Sequence, residues 1–196
     1  MRFVDLFCGI GGFHAALSKL GHECVFACDA DEEAAKMYEL NFGIHAHRDI
    51  RECTKLPVFE ILCAGFPCQP FSKSGSQEGF NDETRGTLYH EILRIIKESS
   101  PGVVFLENVP NMKSHDQGNT YQIIKQSIEK EGYRFFSEIL SPHDFGTPQI
   151  RKRLFMVAIK KNICSEEDFQ FPKETNKSTN VRSILEKNNL VPEKYF

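Results

Sequence analysis

ILCAGFPCQPFS, running from Ile61 to Ser72, sets a four-residue apolar run against a turn rich in glycine and proline. A short apolar run ended by Gly65 and Pro67 reads as a buried parallel strand entering a turn, with Cys68 presented at the strand's carboxyl end. Open α/β sheets bind their ligands at that end. Pro67 fixes its own φ and biases Phe66 toward extended geometry, so the turn is stiff and the thiol is a positioned candidate nucleophile.

The rest of the chain repeats the strand-then-helix pattern. Arg2 to Phe7 is a β-prone run that opens into Cys8, Gly9, Ile10, Gly11 and Gly12, and Phe13, Ala16, Leu17 and Leu20 then recur at helical spacing until Gly21. A second strand covers Glu23 to Cys28, and the acids that follow, Asp29, Asp31, Glu32 and Glu33, suit the first turn of a helix reaching about Asn41. Further strands are expected at His45 to Ile50, Ile61 to Ala64, Val103 to Leu106, Tyr133 to Leu140 and Leu154 to Ile159. Helices carry Leu88, Ile92, Ile95 and Ile96 on one face and run over Tyr121 to Lys130. Between them lies a long segment from Phe66 to Gly86, of the length usually given to functional lids. The alternation predicts an α/β fold, a Rossmann-like doubly wound and mostly parallel sheet.

Bulk properties narrow the partners. The 196 residues fit one domain with its own core, and 24 Lys+Arg against 27 Asp+Glu leave a net charge of −3, so a nucleic-acid contact must use a local cluster. Arg151, Lys152 and Arg153 form the sharpest one. Seven cysteines show no paired metal spacing and follow no secretory signal, which points to reduced thiols, no metal and a cytoplasmic protein. No apolar run approaches the roughly 18 residues of a membrane span. From about Lys161 the texture turns polar, so we read residues 1–160 as a catalytic and cofactor-binding domain and residues 161–196 as a tail or linker.

Three further groups carry chemistry. The glycines after Asp5 and Phe7 leave backbone open to a cofactor, although His14 stands where a dinucleotide fingerprint needs its third glycine. Asp29, about 20 residues on, is placed to accept ribose hydroxyls. Glu107, at the end of the strand next in line, would be partly desolvated beside Cys68 and able to give a proton near neutral pH. Gln149, Arg151 and Arg153 alternate at the start of a strand, which would put both arginines on one face. Cys8, Cys24, Cys28, Cys53, Cys63 and Cys164 are read as packing thiols.

Taken together, DLFCGIGGF at Asp5 to Phe13, GFPCQPFS at Gly65 to Ser72, ENV at Glu107 to Val109 and QIRKR at Gln149 to Arg153 closely resemble the cytosine-5 DNA methyltransferase family, in order and spacing. The resemblance implies the S-adenosylmethionine-dependent methyltransferase type of fold. S-adenosyl-L-methionine would lie against Asp5, Phe7, Gly9, Ile10, Gly11, Gly12 and Pro67, with Asp29 on the ribose and Asp49 and Ile50 beside the adenine, leaving S-adenosyl-L-homocysteine as product. The family's acid at the second strand end is commonly a glutamate followed by a bulky residue, where this chain has Asp29 and Ala30. Cys68 would attack carbon 6 of a cytosine flipped out of double-stranded DNA, Glu107 would contact ring nitrogen 3, and Arg153 with Arg151 would steady the base. Residues Gln69 to Arg85 would close over it, a role with a physical motive because flipping costs a few kcal/mol.

In the family, the segment beyond Arg153 leads into a target recognition domain and a final helix. Ending at Phe196, this chain is therefore expected to be a truncated form or one subunit of a split enzyme, with a complementing polypeptide reading the DNA. The setting implied is restriction-modification. Two other readings stay open: cytosine-5 methylation of RNA, and a cofactor-binding but inactive fragment or partner subunit.

Overall fold

The computed structural model describes residues 1–47, 49–67, 88–165, 167–175 and 180–185. Among these residues seven strands, β1 (Arg2–Leu6), β2 (Glu23–Cys28), β3 (Ala46–His47), β4 (Ile61–Ala64), β5 (Val103–Asn108), β6 (Tyr133–Leu140) and β7 (Arg153–Lys160), form one sheet in the order β3-β2-β1-β4-β5-β7-β6. The first five neighbours are parallel, and β7 lies antiparallel between β5 and β6. Among the described residues four α-helices complete the pattern: α1 (Gly12–Lys19), α2 (Glu32–Phe42), α3 (Leu88–Ser99) and α4 (Asn119–Lys130). The doubly wound, mostly parallel sheet expected from the sequence is therefore present.

Side chains of a strand point alternately to the two faces, and the core divides accordingly. Val4 and Leu6 of β1 join Leu62, Val104 and Leu106 and the apolar stripes of α3 and α4, among them Ile92, Ile96, Ile124 and Ile128. Phe3, Cys24, Ile61 and Cys63 face the other way, beneath Phe13 and Leu17 of α1. α2 buries Ala35 and Tyr38 on the same side, against Cys8 and Ala27. Asp5 shares the odd-numbered face of β1 with Phe3, so the alternation carries its carboxyl under α1.

Three local expectations change. His45 to Ile50 holds only the two-residue β3, because Asp49 caps a short 3-10 turn at Ile50–Glu52, its Oδ1 accepting from the Arg51 amide at 2.9 Å. β5 runs on through Asn108 instead of stopping at Leu106, since β7 supplies antiparallel partners up to Asn108 opposite Leu154. β7 begins at Arg153, so Gln149 and Arg151 precede the strand and the alternation argument does not apply to them. Among the described residues no helix is long and apolar enough to cross a membrane.

The glycine turn between β1 and α1 is sterically set. Gly11 caps α1 with φ 92°, and a Cβ there would overlap the Phe42 ring. Left-handed backbone and overpacking together cost an alanine roughly 2 to 4 kcal/mol. We expect Gly11→Ala to lose that much stability in urea unfolding, and Gly9→Ala, which meets nothing within 4 Å, to lose only about 1 kcal/mol. Equal losses for the two would refute the packing account.

Candidate functional site

The doubly wound order changes direction between β1 and β4, and a crevice opens at their carboxyl ends, where such sheets bind ligands. A cleft of about 660 Å³ lies there, lined by Phe7, Gly9, Asp29, Asp49, Gly65 and Pro67 among others. That volume suits a drug-sized ligand.

Each wall follows from local chain geometry. Phe7 leaves β1 with φ 56°, an unfavourable conformation for a side-chain-bearing residue, and the turn is held by the Cys8 amide donating to Cys28 O at 3.0 Å. Gly9 follows with φ 54°, and its amide donates to Asp29 Oδ2 at 2.7 Å. Asp29 Oδ1 accepts from the Asp31 amide at 2.9 Å, so two backbone amides orient this carboxylate at the cleft wall. Asp31 in turn caps α2, accepting from the amides of Glu33 and Ala34. Cys28 also lines the cleft, and the neighbouring Cys53 thiol, reinforced by burial, pushes it up, while the same contact pulls Cys53 down against the effect of its own burial.

Of the cofactor residues expected from the sequence, Phe7, Gly9, Asp29, Asp49, Ile50 and Pro67 come together in this lining. Asp5, Ile10, Gly11 and Gly12 stand outside it. Asp5 is 0% exposed beneath α1, Gly11 packs on Phe42, and Ile10 is 69% exposed. Asp5 therefore cannot touch a ligand in the cleft, and its place in β1 is structural. Gly65, Arg51 and Leu88 line the cleft without having been expected to. Gly65 had a signal, since it ends the β4 run, whereas nothing local marks Leu88.

A second cavity, of about 470 Å³, lies on the β5–β7 side and is lined by Glu107, Arg151, Arg153, Leu140, Phe145 and Phe155 among others. Arg153 Nε reaches Glu107 Oε1 at 2.7 Å, with both side chains about one-quarter exposed. The carboxylate's near partner is thus a guanidinium rather than an apolar wall. Arg151, though off the strand, is drawn to the same cavity, its amide donating to Ser141 Oγ at 3.2 Å.

The two spaces share a wall at Gly65. This residue lines the cleft, and a Cβ on it would sit 3.5 Å from Glu107 Oε2. Asn108, buried at the end of β5, donates from Nδ2 to Phe66 O at 2.7 Å and accepts from the Val109 amide at 2.8 Å. That clamp fixes the approach to Pro67, a positioning role read only from the structure although Asn108 stands in the quoted ENV motif. Cys68 lies outside the described residues, as does the segment Gln69 to Arg85 expected to close over a substrate. Among the described residues no group of three or more His, Cys, Asp and Glu gathers as a metal site. The other six cysteines are buried and free of disulfides.

The family model described as C-5 cytosine-specific DNA methylase matches residues 1–196. The type II methyltransferase M.HhaI of Haemophilus parahaemolyticus is 44% identical over 187 residues, covering 94% of this chain and 57% of that protein. M.MspI of a Moraxella species is also 44% identical, over 94% of this chain and 44% of its own length. Among solved structures, the Dnmt2 methyltransferase of S. pombe superposes with a TM-score of 0.65 at 26% identity, covering 85% of this chain and 52% of that one. The chain thus spans about half the length of the curated relatives it matches.

Proposed function

Because the chain belongs to the C-5 cytosine-specific DNA methylase family, we propose that it methylates carbon 5 of cytosine in double-stranded DNA, using S-adenosyl-L-methionine, within a type II restriction-modification system. The observation that carries this reading is the Glu107–Arg153 pair, standing across Gly65 from a cleft whose wall includes Pro67, the residue before Cys68.

The cleft fits an adenosyl cofactor on its own chemistry. Gly9 keeps side chains out of the space beside the β1 turn, and Asp29 presents an oriented carboxylate for ribose hydroxyls. Asp49 and Ile50 supply an acceptor and an apolar edge for the base. When bound, S-adenosyl-L-methionine supplies an electrophilic methyl group and leaves as S-adenosyl-L-homocysteine.

The chain's own residues must do the rest. A pyrimidine carbon 5 is a poor nucleophile until aromaticity is broken, so a covalent catalyst is required. The Cys68 thiolate forms the bond to carbon 6, and the ring's displaced electron pair then makes carbon 5 nucleophilic. Glu107, beside ring nitrogen 3, gives a proton there as negative charge develops on the ring, and Arg153 orients its carboxyl group through the 2.7 Å contact. Arg151 steadies the base from the same cavity. Once carbon 5 carries its methyl group and gives up its proton to solvent water, the carbon–sulfur bond breaks and the thiolate leaves.

Reading a particular DNA sequence falls to the length of the relatives beyond this match, whether it continues in the same polypeptide or in a complementing one. The test is trapping. A duplex containing 5-fluorocytosine, whose fluorine cannot leave as a proton does, is incubated with S-adenosyl-L-methionine and the protein, the remaining length of the relatives being supplied in trans. We expect a covalent complex on DNA and none on the matching RNA. Peptide mapping that finds no adduct, or an adduct at a residue other than Cys68, overturns the reading.

A further inference from the structure

The cleft's lining pairs a small residue with an unexpected large one. Ala30, directly after Asp29, offers only a methyl group, while Arg51 brings a guanidinium and is the single cation among the described lining residues, beside Asp29, Asp31 and Asp49. This guanidinium does not hang free. Its Nε donates to Asp49 Oδ1 and Oδ2, both at 3.0 Å, and its Nη2 donates to Oδ2 at 2.7 Å. Asp49 is itself pinned as the cap of the 3-10 turn. The turn is gripped from α3 as well, where Arg94 Nη2 donates to Ile50 O at 3.3 Å and to Cys53 O at 3.1 Å.

A planar, weakly hydrated cation forked onto a carboxylate is a good stacking surface for an aromatic ring, and the Arg51 side chain, 65% exposed, leaves its face open to one. A purine entering beside Asp49 needs such a surface, and Ala30 does not supply one. We infer that Arg51 is a cofactor-binding residue whose guanidinium, set by Asp49, forms a stacking face for the purine in a cleft where Ala30 offers only a methyl group. The assignment rests on the proposed adenosyl-binding role of the cleft. It makes Asp49 bifunctional, as an acceptor for the base and as the anchor of its platform.

Calorimetry of S-adenosyl-L-homocysteine binding tests it without any need for turnover. Arg51→Ala is expected to weaken binding about five- to tenfold, as loss of one cation–π contact would. Arg51→Lys, keeping charge but not the plane, is expected to lose nearly as much, and Ala30→Trp placed in the Arg51→Ala protein to recover most of it. The inosine analogue, which lacks the amino group facing Asp49, separates stacking from mere orientation of that carboxylate. It is expected to show the same fold-loss in Arg51→Ala. A loss confined to the adenine compound, or an Arg51→Ala affinity within twofold of the parent, overturns the platform while leaving the cleft's role intact. No binding to the unsubstituted protein sinks both readings.

Discussion

Glu107→Gln is expected to slow methylation by about 10²- to 10³-fold, the scale of losing one positioned proton-handling or charge-stabilising group. The substitution keeps the shape of the side chain, so the sheet register of β5 against β7 should be undisturbed. It removes the charge that holds Arg153 Nε at 2.7 Å, and an amide cannot transfer a proton to ring nitrogen 3 as a carboxyl group does. Glu107 does not line the cleft beside Phe7 and Asp29, so affinity for S-adenosyl-L-homocysteine should not change. Initial rates of methyl transfer to DNA, measured alongside cofactor affinity on the same preparations, distinguish these effects. A Glu107→Gln protein within tenfold of the parent rate would show that Glu107 is not at the reacting base. A parallel loss of cofactor affinity would show that the two spaces are one site, not neighbours sharing Gly65. Arg153→Lys makes a useful companion, because it retains a cation but not the Nε contact.

The strand ends that place Glu107 were legible because short apolar runs bounded by glycine and proline are local signals. Ile61–Ala64 and Val103 onward could be read without any partner in view, and so could the helical stripe of Leu88, Ile92, Ile95 and Ile96. Antiparallel pairing was not local. β5 continues to Asn108 only because Leu154 and Phe155 of β7 lie opposite, and no feature of Glu107 or Asn108 announces that. The same limit applies to Arg151 and Arg153. Period-two spacing suggested one strand face, yet β7 starts at Arg153, and what brings Arg151 to Glu107's cavity is the return of the chain past Ser141. Around the cleft, Asp29 and Gly9 were visible as residue types suited to ribose and to close backbone approach. The use of Arg51 was not, because it depends on Asp49 capping a 3-10 turn where the sequence suggested a strand. Asp5 was misplaced for a simpler reason: the alternation along β1 sends it to the α1 face, and the glycine motif draws attention to the other end of the turn.

That buried Asp5 dictates how stability should respond to pH. Its side chain is 0% exposed, and neither carboxyl oxygen has a hydrogen-bond partner of good geometry among the described residues. Burial, reinforced by Asp29, raises its pKa to about 8 despite the weaker opposing pull of the nearby His14 amide and Tyr38 hydroxyl. Unfolded, the group titrates at 3.8. Between those values the native state keeps a proton that the unfolded chain has released, so each pH unit removes about 1.4 kcal/mol of stability. The contribution is fully present below the unfolded pKa and is lost as pH rises through the folded one. Over pH 5 to 8 the protein should therefore lose about 4 kcal/mol from this group, the reverse of ordinary acid denaturation. His14, which burial holds below its usual pKa, works in the opposite sense and adds stability as pH rises toward 6.5, softening the early part of the decline. Tyr38, Cys8, Cys24 and Cys63, which also surround the carboxyl, are all pushed upward by burial and stay neutral across this window in both states or nearly so. Asp5→Asn removes the titration while keeping the volume, so urea unfolding should show the substituted protein gaining about 4 kcal/mol relative to the parent between pH 5 and 8. A gap between the two that stays flat across that range would mean that Asp5 is ionised in the native state and that its pocket is better solvated than its burial under α1 implies.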